Sequence, residues 1–150
     1  MSQSLAKNLI HLVFSTKNRA SLITDDIRPE LHKYAGGILR DLSCPALIMN
    51  SVGDHIHVLF NLHRTKALSD VVMELKRGTS VWMKEQGTAF ADFYWQNGYG
   101  AFSIGQSMVA DVTNYIENQA EHHRKQTFQQ EFRLFLERYE IEWDERYVWD

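Results

Sequence analysis

Short β-prone apolar runs alternate with longer stretches of helical periodicity along most of this chain. Asn8-Leu-Ile-His-Leu-Val-Phe-Ser15 reads as a first strand that runs into the basic loop Thr16-Lys-Asn-Arg19. Thr24 then predicts a helix N-cap, with Asp25 and Asp26 in the first turn and Ile27, Leu31, Tyr34, Ile38 and Leu42 recurring at helical spacing to about Asp41. Pro45 to Val52 and Asp54 to Asn61 predict two strands around Gly53, the tight turn of a hairpin. A second helix is expected from Ser69 to about Gln86. Its buried face would hold Val72, Leu75, Thr79, Trp82 and Met83, with Lys76, Arg77 and Lys84 outside and Gly87 closing it.

The order to this point is β-α-β-β-α. Phe93-Tyr-Trp-Gln-Asn-Gly-Tyr-Gly-Ala-Phe-Ser103 mixes aromatics with glycines, and its last part reads as a fourth strand. That completes the split β-α-β arrangement of an α+β, ferredoxin-like (RRM-like) antiparallel sheet with helices on one face. One further helix is expected from Ser107 through Tyr115 and Gln119 to about Lys125. Thr127-Phe-Gln-Gln130 is a capping-box signature for a last helix through Phe132, Leu134, Phe135 and Leu136 to about Tyr139. No repeat, low-complexity tract or linker divides the chain, so residues 1–150 are expected to form a single domain.

The hairpin carries the first chemical signal. Residues i and i+2 of a strand point to one face, so His55 and His57 in Val52-Gly-Asp-His-Ile-His-Val-Leu-Phe60 would project together while Ile56, Val58 and Phe60 pack elsewhere. Two imidazoles side by side make a claw for a metal ion. Tyr115 and Gln119 are four apart in a helical pattern, hence on one helix face, and could complete the same site. Two imidazoles and an amide oxygen leave a divalent cation with open positions that phosphate oxygens can fill, and a phenol is an adequate nucleophile once the phosphate is held in line. Attack by Tyr115 would store the phosphodiester as a phosphotyrosine, so a later hydroxyl could reseal the strand. The parts therefore suit strand transfer on a polynucleotide.

His55-Ile-His57 resembles the HUH motif (His, apolar residue, His). Tyr115-Ile-Glu-Asn-Gln119, with His122 and His123 following, is similar to the tyrosine helix of the single-tyrosine transposases of the insertion-sequence-200/605 group. Trp95-Gln-Asn-Gly-Tyr-Gly-Ala-Phe-Ser103 and the ending Ile141-Glu-Trp-Asp-Glu-Arg-Tyr-Val-Trp149 resemble that group too, so the likeness runs over nearly the whole chain. The resemblance implies a small dimeric DNA transposase that recognises single-stranded hairpins at element ends. It would cleave with Mg²⁺ or Mn²⁺, leaving a 5′-phosphotyrosine link and a free 3′-OH. It implies that His55, His57 and Gln119 are metal ligands and that Tyr115, carried on the C-terminal helices, is the nucleophile. It also implies a tyrosine helix that often docks against the histidines of the other subunit of a homodimer, for which Gly105 could be the hinge.

Composition changes this picture in three places. The net charge is −3, but residues 1–84 hold 11 Lys+Arg against 7 Asp+Glu, and residues 85–150 hold 5 against 12, so a local basic face could still meet phosphates. Lys17, Arg19, Lys76 and Arg77 are the candidate phosphate contacts, His122 and His123 could approach the metal or the DNA, and Trp82, Trp95 or Tyr99 could stack on a base. The single cysteine, Cys44, excludes an internal disulfide and is expected to be a buried, inert thiol. No apolar run approaches a bilayer span and the first residues lack signal-peptide character, so a cytoplasmic protein without membrane contact is expected. Two other readings keep the same residues: a metal-dependent phosphoesterase with Tyr115 structural, and a non-catalytic binder of single-stranded nucleic acid. The phosphoesterase would want a third histidine or a carboxylate in the site, and its one nearby candidate, Asp54, should face away from its neighbour His55.

Overall fold

The structure is a computed structural model and describes residues 2–150. Four antiparallel strands, β1 (Leu9–Ser15), β2 (Ala46–Ser51), β3 (His55–Asn61) and β4 (Gly100–Ile104), form one sheet in the order β2-β3-β1-β4. Helices α1 (Arg28–Asp41) and α2 (Leu68–Lys84) connect them, which makes the ferredoxin-like arrangement. Three C-terminal helices follow: α3 (Val109–Glu117), α4 (Gln119–Lys125) and α5 (Phe128–Arg138).

Strands β1 and β3 are the two central strands, and each has apolar residues on both faces because both faces are covered. Leu12, Phe14, Ile56, Val58 and Phe60 pack under α1 and α2 with Leu31, Ala35, Leu39, Val72 and Leu75. On the opposite face Val13 and Phe102 meet Phe128, Phe132, Phe135 and Leu136 of α5, while Leu9 and Leu59 meet Ile116 of α3. Period-2 alternation thus sends His11, His55 and His57 to the α3–α5 side. The hairpin turn at Gly53 is also a close approach, since a Cβ there would overlap Ser21 Oγ.

Several expectations shift locally. Thr24 does not cap α1, which starts at Arg28 with Pro29 in its first turn; Thr24 contributes the carbonyl that accepts from Arg28 N at 3.1 Å. The helix expected as one piece from Ser107 to Lys125 breaks at Asn118 into α3 and α4. Asn50 of β2 explains how the break is tolerated, because its side-chain amide donates to the carbonyls of Ile116 (2.9 Å) and Glu117 (3.2 Å) that the interruption leaves without helical partners. Trp82 is half-buried and stacks on Tyr34, and Leu134 is exposed. The capping box on α5 forms as expected, with Thr127 accepting from Gln130 N and Gln130 accepting from Thr127 N. Cys44 is buried.

His32 of α1 lies 2.7 Å from Ser51 Oγ, and burial followed by the nearby Arg28 charge lowers its pKa from 6.5 to about 4. The unfolded chain therefore takes up this proton before the folded chain does. Stability contributed at neutral pH is lost as pH falls from about 6.5 through 4. Because His32 is partly exposed, the effect should be on the order of 2 kcal/mol. His32→Asn should flatten the acid limb of a urea-unfolding stability profile taken between pH 7 and pH 4.

Candidate active site

Strand β3 delivers His55 and His57 to one face, both buried, with ring centroids 5.3 Å apart. Each ring is held from behind by its Nδ1. His55 Nδ1 is 2.7 Å from Asp54 Oδ1, and His57 Nδ1 is 2.8 Å from His11 Nε2 on β1. Back-bonding of this kind fixes ring orientation and leaves both Nε2 atoms pointing inward. Asp54 therefore does not face away from His55: it sits in the turn just before β3, where strand alternation no longer applies.

The two Nε2 atoms meet on one carboxylate oxygen. Glu131 Oε1 of α5 lies 2.8 Å from His57 Nε2 and 3.2 Å from His55 Nε2. The other oxygen, Oε2, accepts the hydrogen bond of the Tyr115 hydroxyl. Gln119, the first residue of α4 and fully buried, places Oε1 3.2 Å from His55 Nε2. The structure thus brings together His55, His57, Tyr115 and Gln119 and adds Glu131, Asp54 and His11. The break at Asn118 alters how Tyr115 and Gln119 are presented without separating them. Tyr115 lies against the imidazoles of its own chain, its ring centroid 5.9 Å from that of His57.

The charges are strongly coupled. Burial opposes a charge on His55, but Asp54 and Glu131 outweigh it and raise its pKa to about 9. Burial pushes His57 down, and burial with the neighbouring His57 lowers His11 to about 3. Burial alone would raise Glu131, but the two histidines hold it well below the usual carboxylate range. Burial, then the Glu131 charge, pushes the Tyr115 phenol well above its ordinary value. As it stands the site is an ionised carboxylate between imidazoles with a protonated phenol beside it.

The remaining candidates divide. The His122 ring stacks on Tyr115 with centroids 4.2 Å apart, and the exposed His123 ring lies 5.7 Å from that of His55. Lys17 and Arg19 are on a short 3₁₀ turn after β1, in which Asn18 and Arg19 both have φ 57°. Arg77 is exposed and paired with Glu74. Lys76 is not a free surface cation: its Nζ donates to the carbonyls of Gln96, Asn97 and Gly98, and burial lowers its pKa to about 8. Trp95 is likewise a core residue, donating its indole N–H to Thr79 at 2.9 Å, while Tyr99 packs beside Lys76. Gly105 precedes a 3₁₀ turn with extended backbone, φ −82° and ψ 160°.

Sequence reasoning missed Glu131 and His11. Both had a detectable signal. Glu131 interrupts the Phe128, Phe132, Phe135 stripe of α5, and His11 interrupts the apolar run of β1.

The sequence model of the transposase IS200-like family matches residues 4–119. The chain belongs to that family of transposases. Its fold is similar to that of a protein assigned as a transposase from Deinococcus radiodurans R1, with 20% identity, TM-score 0.62, and coverage of 79% of this chain and 98% of the other. It is also similar to a REP-associated tyrosine transposase bound to a REP hairpin, with 16% identity, TM-score 0.61, and coverage of 82% and 74%. A search of curated protein sequences gives no significant match. Among the described residues, this transposase has no helix long and apolar enough to cross a membrane.

Proposed function

We propose that this transposase cleaves and rejoins single-stranded DNA through a 5′-phosphotyrosine intermediate on Tyr115. The observation that carries the reading is that one buried carboxylate, Glu131, takes the Tyr115 hydroxyl on one oxygen and both imidazole Nε2 atoms on the other. A nucleophile and a cluster of ligating nitrogens therefore share one site. The new bond would join Tyr115 Oη to phosphorus as the P–O3′ bond breaks. The phenol gives up one proton and the departing O3′ takes one up, so the leaving strand would end in a free 3′-OH with no net change in protons; attack by a 3′-OH on the phosphotyrosine reverses the sequence.

The residues present fit a divalent metal ion. Both Nε2 atoms converge, both Nδ1 atoms are back-bonded, and oxygen donors stand beside them. His55, His57 and Gln119 would hold Mg²⁺ or Mn²⁺. When bound, such an ion would offset negative charge on the phosphate oxygens. The His122 ring stacked on Tyr115 would restrict the swing of the phenol.

The fold shared with a transposase bound to a REP hairpin supports a DNA hairpin as substrate. Lys17 and Arg19, on a turn fixed in left-handed backbone, and Arg77 are the phosphate contacts of this reading. The double substitution of Lys17 and Arg19 by Ala should weaken binding across hairpin sequences. It should also make the log–log salt slope shallower by about 0.7 for each phosphate no longer neutralised, measured by fluorescence anisotropy.

Trapping tests the central reading. The protein is incubated with single-stranded hairpin oligonucleotides, including DNA from its native flanking locus, plus Mn²⁺ or Mg²⁺, and run on a denaturing gel. A metal-dependent covalent band is expected. Metal-dependent cleavage without that band would make it a phosphoesterase, and binding without cleavage a non-catalytic binder.

A further inference from the structure

We propose that Glu131 is itself a protein ligand of the divalent cation, so that α5 adds an anionic donor to the set formed by His55, His57 and Gln119. The proposal rests on the functional reading above and deepens it: it names the anionic ligand, on a helix outside the segment the family model matches.

Geometry makes the first argument. Among the described residues, His55, His57 and Glu131 form a fully buried group whose ligand atoms all lie within 4.8 Å of one another. Oε1 of Glu131 already occupies the point on which the two Nε2 atoms converge, so a small retreat of the carboxylate would open a position between three donors. Among the described residues no other carboxylate shares that position. Asp54 reaches only the far side of His55, at Nδ1.

Charge makes the second. A dication held by two neutral imidazoles and an amide would bring an uncompensated double charge into a buried site, which is costly. A carboxylate ligand removes half of that charge at the ion. Gln119, being neutral, cannot do so, and its Oε1 approaches only His55. Packing makes the third: Glu131 lies on the same face of α5 as Phe128, Phe132 and Phe135, all buried, so the helix cannot dock without inserting this carboxylate into the histidine pair.

The two oxygens of Glu131 then have different partners. Oε1 serves the cation, and Oε2 keeps the Tyr115 hydroxyl. One side chain would thereby set the separation between metal and nucleophile, an anionic bridge that the neutral Gln119 amide cannot supply.

The test is Mn²⁺ binding to the full chain without DNA, read by the loss of free-ion EPR signal, for wild type, Glu131→Gln, Gln119→Ala and His57→Ala, with circular dichroism confirming the fold. Wild type should bind. Glu131→Gln should bind more weakly by over the roughly 10- to 100-fold that loss of a mere hydrogen-bond partner of a ligand costs, Gln119→Ala should lose less, and His57→Ala should lose binding altogether. A mutation-free readout guards against misfolding: in wild type carrying ¹³C at its glutamate side-chain carboxyls, ENDOR should show a ¹³C coupling to bound Mn²⁺. If Glu131→Gln binds as wild type does, or the coupling is absent, Glu131 is only a counter-ion of the histidines and the proposal falls. Failure of wild type to hold Mn²⁺ without DNA would also overturn it. Neither result touches the covalent-trapping test, so the strand-transfer reading stands or falls separately.

Discussion

Tyr115→Phe should remove the covalent protein–DNA band completely while leaving the fold, hairpin binding and Mn²⁺ binding close to those of wild type. The ring is half-buried against His122, His57 and Phe135, and phenylalanine keeps those contacts. What disappears is one oxygen and its hydrogen bond to Glu131, whose carboxylate retains both imidazoles, so the expected stability cost is only about 1 kcal/mol. His57→Ala should also abolish the band, but through lost ion binding and a disturbed Glu131. The contrast between the two variants separates nucleophile from ligand. Since Tyr115 lies against its own chain's histidines, mixing the two inactive variants should not restore the band. Restoration would show that the tyrosine helix is exchanged within a homodimer, with each site composed of two subunits. A band that survives Tyr115→Phe would assign the chemistry to another side chain.

The second large effect is expected at Gly100→Ala. Gly100 lies in β4 opposite Val13, beneath the ring of Phe132. A Cβ there would overlap Phe132 Cε2, fall 3.0 Å from Phe132 Cζ and 3.2 Å from Phe102 Cζ, and no exposed flexible end is available to give way. Phe132 immediately follows Glu131 on α5, so a methyl group at Gly100 should lift the helix turn that carries the carboxylate. Overpacking of this kind costs about 1–3 kcal/mol. The expected result is a lowered Tm together with weakened Mn²⁺ binding and adduct formation, although no residue of the site has changed. Gly36→Ala, inside α1 where a Cβ meets nothing within 4 Å, is the matched control and should leave Mn²⁺ binding and adduct formation unchanged, with Tm slightly raised by the better helix former. Equal behaviour of the two variants would show that α5 is not needed to hold the site.

Local rules set the sheet, the hairpin and the pairing of the histidines in the chain itself. A strand's alternation obliges His55 and His57 to share a face, and the apolar spacing of α1 and α2 obliges them to cover the other one. The capping box at Thr127 likewise needs only four consecutive residues. Tyr115 and Gln119 were legible as neighbours because four positions separate them, and that survived the break at Asn118. The break itself was not legible, because the donor that satisfies the orphaned carbonyls is Asn50, far away in sequence on β2.

The charge balance of the site was decided only in three dimensions. Glu131 breaks the apolar stripe of α5, but an acidic residue near the start of a helix also suits the helix dipole, so the break did not name a buried partner until α5 docked on the sheet. Asp54 and His11 take their roles from a turn and from the registry of β1 with β3, and Lys76 from the loop carbonyls that fold over it. The sequence by itself determined which side chains face which way along each element. Tertiary structure decided which of them meet, because burial in a shared low-dielectric site is a property of packed elements and not of any one of them.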